Sequence, residues 1–121
     1  MAHVCITGAN KGIGLALATI YSQDQQVIAM CRQKSEALDA LANTTIITNI
    51  DVNIHEQREL AIEIMPGHTD ILILNAGILL KDQQDPLTHE KDILAQIQTN
   101  AISPLLMAQM AIPKIKKGGK I

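Results

Sequence analysis

The string Thr7-Gly8-Ala9-Asn10-Lys11-Gly12-Ile13-Gly14 constrains this chain more than any other stretch. It follows the apolar run Val4-Cys5-Ile6 directly and leads straight into a helical pattern. A strand that turns through glycines into a helix aims backbone N–H groups at the space beyond the turn, and the helix dipole makes that space attractive to anions. Gly8 permits the tight exit from the strand, Gly12 lets the backbone approach phosphates without a Cβ in the way, and Gly14 lets the helix pack closely on the sheet. The spacing is Gly-x-x-x-Gly-x-Gly, not the Gly-x-Gly-x-x-Gly of the commonest dinucleotide fingerprint. A triphosphate-binding loop is excluded, because no Gly-Lys-Ser/Thr occurs. The turn is therefore expected to cradle the pyrophosphate of a dinucleotide.

The pattern downstream alternates. Residues 3–6, 26–31, 45–50 and 70–74 are short runs rich in apolar or β-branched residues, as buried parallel strands require. Between them, Ile13, Leu17, Ile20 and Tyr21 are expected to share one helix face, with small Gly14 and Ala18 close to the sheet. A short segment around 34–42 follows, and Leu60, Ala61, Ile64 and Met65 mark a third helix stopped by Pro66-Gly67. This alternation predicts an α/β fold, a Rossmann-like doubly wound parallel sheet with strand order 3-2-1-4. A polar loop is expected from Lys81 to Pro86, then a long helix from near Thr88, kinked by Pro104 and ended by Pro113. Its apolar positions (Leu94, Ile97, Ala101, Leu105, Ala108, Ile112, with Ile102, Leu106 and Met110 beside them) form a stripe too wide for one covered face. Either the helix is buried on two sides or residues 89–112 meet another subunit. The tail from Lys114 to Lys120 reads as a turn entering an incomplete fifth strand.

At 121 residues the chain is at most one small domain, residues 1–121. Its core must be aliphatic, with no Phe, no Trp and one Tyr. A net charge of −2 and the lack of stacking aromatics argue against a nucleic-acid partner. No apolar run approaches the ~20 residues that span a bilayer. Met1-Ala2-His3 enters the first strand at once, which leaves no room for a signal peptide, so a cytoplasmic location is expected. Cys5 and Cys31 sit in apolar runs and read as buried, reduced thiols. The four His are scattered without metal-ligand spacing, so no metal site is expected.

Four motifs in order, Thr7-Gly8-x-x-x-Gly12-x-Gly14, Asp51-Val52, Asn75-Ala76-Gly77 and Asn100, resemble the short-chain dehydrogenase/reductase family. Val27 to Arg32 and Asn100 to Leu106 most resemble its C-factor/sniffer-like carbonyl reductase branch. The similarity runs along the whole chain but corresponds to the family's N-terminal, cofactor-binding half. The resemblance implies that Gly8, Asn10, Lys11, Gly12, Ile13 and Gly14 form the phosphate cradle. It implies that Asp51, expected to end the third strand, accepts the adenine amino group beside Val52. An N-cap for a helix beginning near Asn53 is the structural alternative for Asp51, and both roles are compatible. Asn75, Ala76 and Gly77 would wall the adenosine-ribose pocket; Leu74 stands where the family usually has a further Asn.

NAD-selective enzymes place an acid at the end of the second strand, where it repels a 2′-phosphate. Here that position is Cys31 or its neighbour; Arg32 follows, and Lys11 lies in the glycine turn. Two cations favour NADP over NAD. Family catalysis rests on a Tyr, a Lys four residues later, an upstream Ser and an Asn that positions a water at the Lys. Asn100 matches the Asn. The sole tyrosine, Tyr21, has Gln25 four places on, and Ser103 lies in the Asn100 helix and does not match the Ser. The expectation is a truncated NADP-binding short-chain dehydrogenase/reductase, descended from hydride transfer between NADP(H) and a carbonyl or alcohol substrate, and inactive by itself. The alternatives are a non-catalytic dinucleotide-binding or interaction module and one piece of a split enzyme. A homo-oligomer or a partner chain is expected on the helix at 89–112.

Overall fold

The computed structural model describes residues 1–80 and 86–121. Its elements are β1 (His3–Thr7), α1 (Gly12–Tyr21), β2 (Gln26–Met30), α2 (Glu36–Asp39), β3 (Thr44–Ile47), α3 (His55–Ile64), β4 (Thr69–Ile73), α4 (Pro86–Ile97), a π-turn (Gln98–Ile102), α5 (Ser103–Ala111), a short 3₁₀ turn (Ile112–Lys114) and β5 (Ile115–Lys120). The strands form one parallel sheet in the order β3-β2-β1-β4-β5. The chain builds outward from β1 to β3, then crosses to the other side of β1 for β4. That reversal opens a crevice beyond the carboxyl ends of β1 and β4.

Strand alternation builds two cores. Val4, Ile6, Val27, Ala29 and Cys31 join Ala18 and Leu38 on the face covered by α1 and α2. Cys5, Ile28, Met30 and Leu72 join Ala61, Met65, Met107 and Ala111 on the face covered by α3 and α5. Successive residues of one strand point to opposite faces, so both faces of β1 and β2 must be apolar. Cys5 and Cys31 are free thiols in different cores.

Several local expectations are corrected. Ile13 and Ile20 are exposed, and α1 meets the sheet through Gly14 and Ala18 with Leu15, Leu17 and Tyr21 alongside. The buried positions of α3 are Arg58, Ala61 and Ile62, while Leu60 and Ile64 face out. The long helix is two helices joined by the π-turn. Pro104 lies in the first turn of α5. Its ring excludes the carbonyl four residues back, that of Asn100, and the wider π-turn relieves the clash. The stripe that faces the sheet is Thr99, Ser103, Met107 and Ala111, not the apolar positions expected from periodicity. Of those, Leu94, Ile97, Ile102, Leu105 and Ile112 are exposed. The expected fifth strand is present and begins earlier than the turn expected before it: Ile115–Lys120 pair with β4 as a six-residue strand, Thr69 opposite Ile115 and Ile71 opposite Lys120, with a register irregularity between. Lys116 pairs with Asp70 there, holding the Asp70 carboxyl below the usual carboxylate range. Of the loop expected from Lys81 to Pro86, residues 81–85 lie outside the described residues, and Pro86 is the first residue of α4. Among the described residues no helix is long and apolar enough to cross a membrane.

Candidate functional site

A cleft of about 390 Å³ opens at the carboxyl end of the sheet, within the range of small-ligand sites. Eleven expected residues line it: Gly8, Asn10, Lys11, Gly12 and Ile13 from the turn, Arg32 after β2, Asp51 and Val52 before α3, and Asn75, Ala76 and Gly77 after β4. Gly14 is buried behind the wall. Asn100 is one step removed, bonded to Ile78, which does line the cleft.

The glycines have distinct causes. Gly8 and Gly12 hold φ of 64° and 57°, the left-handed region that favours glycine. A Cβ on Gly14 would overlap the Gly8 carbonyl oxygen and lie 2.6 Å from Asn75 Nδ2. The turn is braced from β4: Asn75 Nδ2 donates to the Gly8 carbonyl at 3.1 Å, and the Ala76 N–H donates to Thr7 Oγ1 at 3.0 Å. Helix α1 then begins with no side-chain cap and no acidic residue in its first turn. Its leading N–H groups are therefore open to an anion.

Asp51 sits four residues past β3 rather than at its end, and it does not cap α3, whose N-cap position is Ile54. Its carboxylate accepts from the Asn53 N–H at 2.9 Å, forming a local turn. The segment is pinned from α3: Gln57 Oε1 accepts from the Asp51 N–H, and Arg58 Nη1 donates to the Val52 carbonyl at 2.7 Å. Arg32 and Lys11 are exposed at the cleft and form no ion pair among the described residues. The Cys31 thiol beside Arg32 is buried, which pushes its pKa up and keeps it neutral.

Cys31, placed by the sequence at the cofactor-discriminating end of the second strand, also lines the cleft, and four further lining residues escaped the sequence reading: Ile50, Asn53, Ile78 and Thr99. Each of the four is a chain neighbour of an expected site residue, so the flanks of the motifs carried the signal. Tyr21 packs against the α1-side core.

A sheet wound both ways around β1, with a glycine cradle at the reversal, defines the class of dinucleotide-binding α/β folds. The short chain dehydrogenase family profile matches residues 2–121, and the chain belongs to that family. Short-chain dehydrogenase RED3 of Pyricularia oryzae is 31% identical over 128 residues, covering 94% of this chain and 51% of its own length. The chain thus spans about half of that relative. Among solved structures, the closed form of serine dehydrogenase complexed with NADP+ is 28% identical with a TM-score of 0.77, over 93% of this chain and 48% of that one. The 3-ketoacyl-(acyl-carrier-protein) reductase of Brucella melitensis, complexed with NADH, shares the fold at 24% identity and a TM-score of 0.82, over 93% and 49%.

Proposed function

We propose that the cleft binds a nicotinamide dinucleotide, NADP in preference to NAD, and that residues 1–121 form the cofactor-binding portion of a short-chain dehydrogenase/reductase. The observation that carries this reading is the uncapped N-terminus of α1, which opens beside the positive-φ Gly8 and Gly12 at the point where the sheet reverses. The residues fit the group: the amides would face a diphosphate, Arg32 and Lys11 would supply charge for a 2′-phosphate, and Asp51 and Val52 would offer an acceptor and an apolar wall for adenine. The dinucleotide would supply or accept the hydride. Asn100 would order a water on the nicotinamide side.

The parent reaction is carbonyl reduction or alcohol oxidation, in the cytoplasm. The 121 residues carry no Tyr-x-x-x-Lys, and Tyr21 is packed in the core face of α1. A missing general acid–base typically costs about 10²–10⁴ in rate. The chain by itself is therefore expected to bind cofactor and turn over poorly. A non-catalytic module or one piece of a split enzyme is the second reading, favoured by the exposed Leu94, Ile97, Leu105 and Ile112, which suit a covering subunit. Fluorescence titration with NADPH, with a carbonyl-reductase assay alongside, tests both. Saturable binding with negligible turnover is expected. Absence of saturable binding by folded protein sinks the cofactor reading, and turnover at ordinary enzyme rates sinks the inactive-chain reading.

A further inference from the structure

The buried stripe of the π-turn and α5 carries two hydroxyls, Thr99 and Ser103. Buried hydroxyls need partners, and both find one on the same side chain. Asn53 Nδ2 donates to Thr99 Oγ1 at 2.9 Å, and Ser103 Oγ donates to Asn53 Oδ1 at 2.7 Å. Gln98 Nε2 adds a donor to Ser103 Oγ at 3.3 Å. From its other end, Asn53 gives its backbone N–H to the Asp51 carboxylate.

We infer that Asn53 is a positioning residue that couples the adenosine end of the cleft to the π-turn bearing Asn100. The inference rests on the dinucleotide reading above. One hydrogen-bonded line runs from the Asp51 carboxylate through Asn53 to Thr99, whose chain neighbour Asn100 grips Ile78. Both Asn53 and Thr99 line the cleft between these ends. A π-turn is a wide, locally weak stretch of helix, so its geometry depends on what holds it from outside. Here the outside grip on its buried face is the Asn53 amide. An adenine ring held by Asp51 steadies the loop, the loop steadies Asn53, and Asn53 steadies the turn that presents Asn100. Asn53 itself touches no reacting atom.

The test is hydrogen exchange of the 98–102 amides with and without an adenosine-half probe, 2′,5′-ADP, and 5′-ADP in parallel. In the unmodified chain either bound probe is expected to slow these amides about fivefold or more. In Asn53→Ala the probe still binds through Arg32 and the glycine turn, and the slowing falls below about twofold. Ser103→Ala removes one of the two links with less risk to folding and is expected to give an intermediate value. A purely structural Asn53 would speed exchange with and without probe alike and leave the ratio unchanged. Binding without slowing, or equal slowing in both variants, overturns the coupling while leaving the dinucleotide reading intact. Failure of both probes to bind the unmodified chain removes both.

Discussion

Asn100 holds the backbone of Ile78 with both halves of its amide: Oδ1 accepts from the Ile78 N–H and Nδ2 donates to the Ile78 carbonyl, each at 2.7 Å. The clamp also closes over Gly77, where a Cβ would lie 3.0 Å from Asn100 Oδ1. It joins the π-turn to the turn after β4. Because the pair is exposed, Asn100→Ala is expected to cost only about 1–2 kcal/mol. Asn100→Asp keeps an acceptor for the N–H but sets a carboxylate against the Ile78 carbonyl, so it should be no better than Ala at neutral pH. Below about pH 4 its protonated oxygen regains a donor and stability recovers relative to Ala. Urea denaturation of the two variants at pH 7 and pH 3.5 checks this; an Asp variant as stable as the parent at pH 7 contradicts the clamp.

The glycine cradle separates contact from conformation. Gly14→Ala drives a Cβ into the Gly8 carbonyl and Asn75, neither of which can retreat without breaking the brace to β4. The expected loss is about 3 kcal/mol or more. Gly67→Ala, with nothing within 4 Å, is the control and should stay within about 0.5 kcal/mol. Thermal melts by circular dichroism rank them, and equal melting temperatures contradict the close approach.

The sheet was legible because its strands are short, apolar on both faces and separated by turn residues. Val4 to Ile6 and Val27 to Met30 leave no other reading. The cleft was legible because its residues cluster in short motifs at strand ends. The helix faces were less so. Periodicity weighs apolarity alone, so it chose Leu94, Leu105 and Ile112 and passed over Thr99 and Ser103, which are buried because Asn53 satisfies them. Arg58 escaped for the same reason: its burial follows from a bond to the Val52 carbonyl, a partner six residues back on a loop. The tail 115–120 has two glycines and three lysines, poor strand formers, and pairs because β4 offers an edge and Asp70 a counter-charge.

Arg32 stands at the cleft with no ion pair among the described residues and no acid at the end of β2. Arg32→Asp replaces a 2′-phosphate donor with a group that accepts from ribose hydroxyls and repels phosphate. Charge-assisted bonds are worth about 1.5–3 kcal/mol, so NADPH affinity should fall about tenfold or more, with NADH improved relative to it. Parallel titrations with the two cofactors decide; an unchanged ratio of affinities ends the NADP assignment.

Cys5 is fully buried, and loss of solvation pushes its pKa from 9.0 up to about 11, the Thr69 hydroxyl opposing weakly. The unfolded chain therefore releases this proton first. As pH rises from about 9 to 11 the unfolded state binds fewer protons than the folded one, and stability falls, by on the order of 2 kcal/mol from this group. The informative quantity is a difference between parent and variant. Cys5→Ala loses packing at every pH, yet its stability should decline less steeply between pH 9 and 11. Parallel slopes in urea titrations across that window contradict the shift.

Leu94, Ile97, Leu105 and Ile112 are 59%, 48%, 58% and 64% exposed along α4, α5 and the turn that follows. Solvated monomers seldom display such a row, and covering it removes about 25 cal/mol per Å² of apolar surface from water. The chain should therefore self-associate through this face. Leu105→Glu places a charge at its middle without touching the buried stripe of Ser103, Met107 and Ala111. Sedimentation velocity over a concentration series should show association in the parent and a shift toward monomer in the variant, with melting of the dilute proteins little changed. A parent that stays monomeric at every concentration contradicts the assembly face, and a variant that unfolds instead would show that Leu105 packs within its own chain.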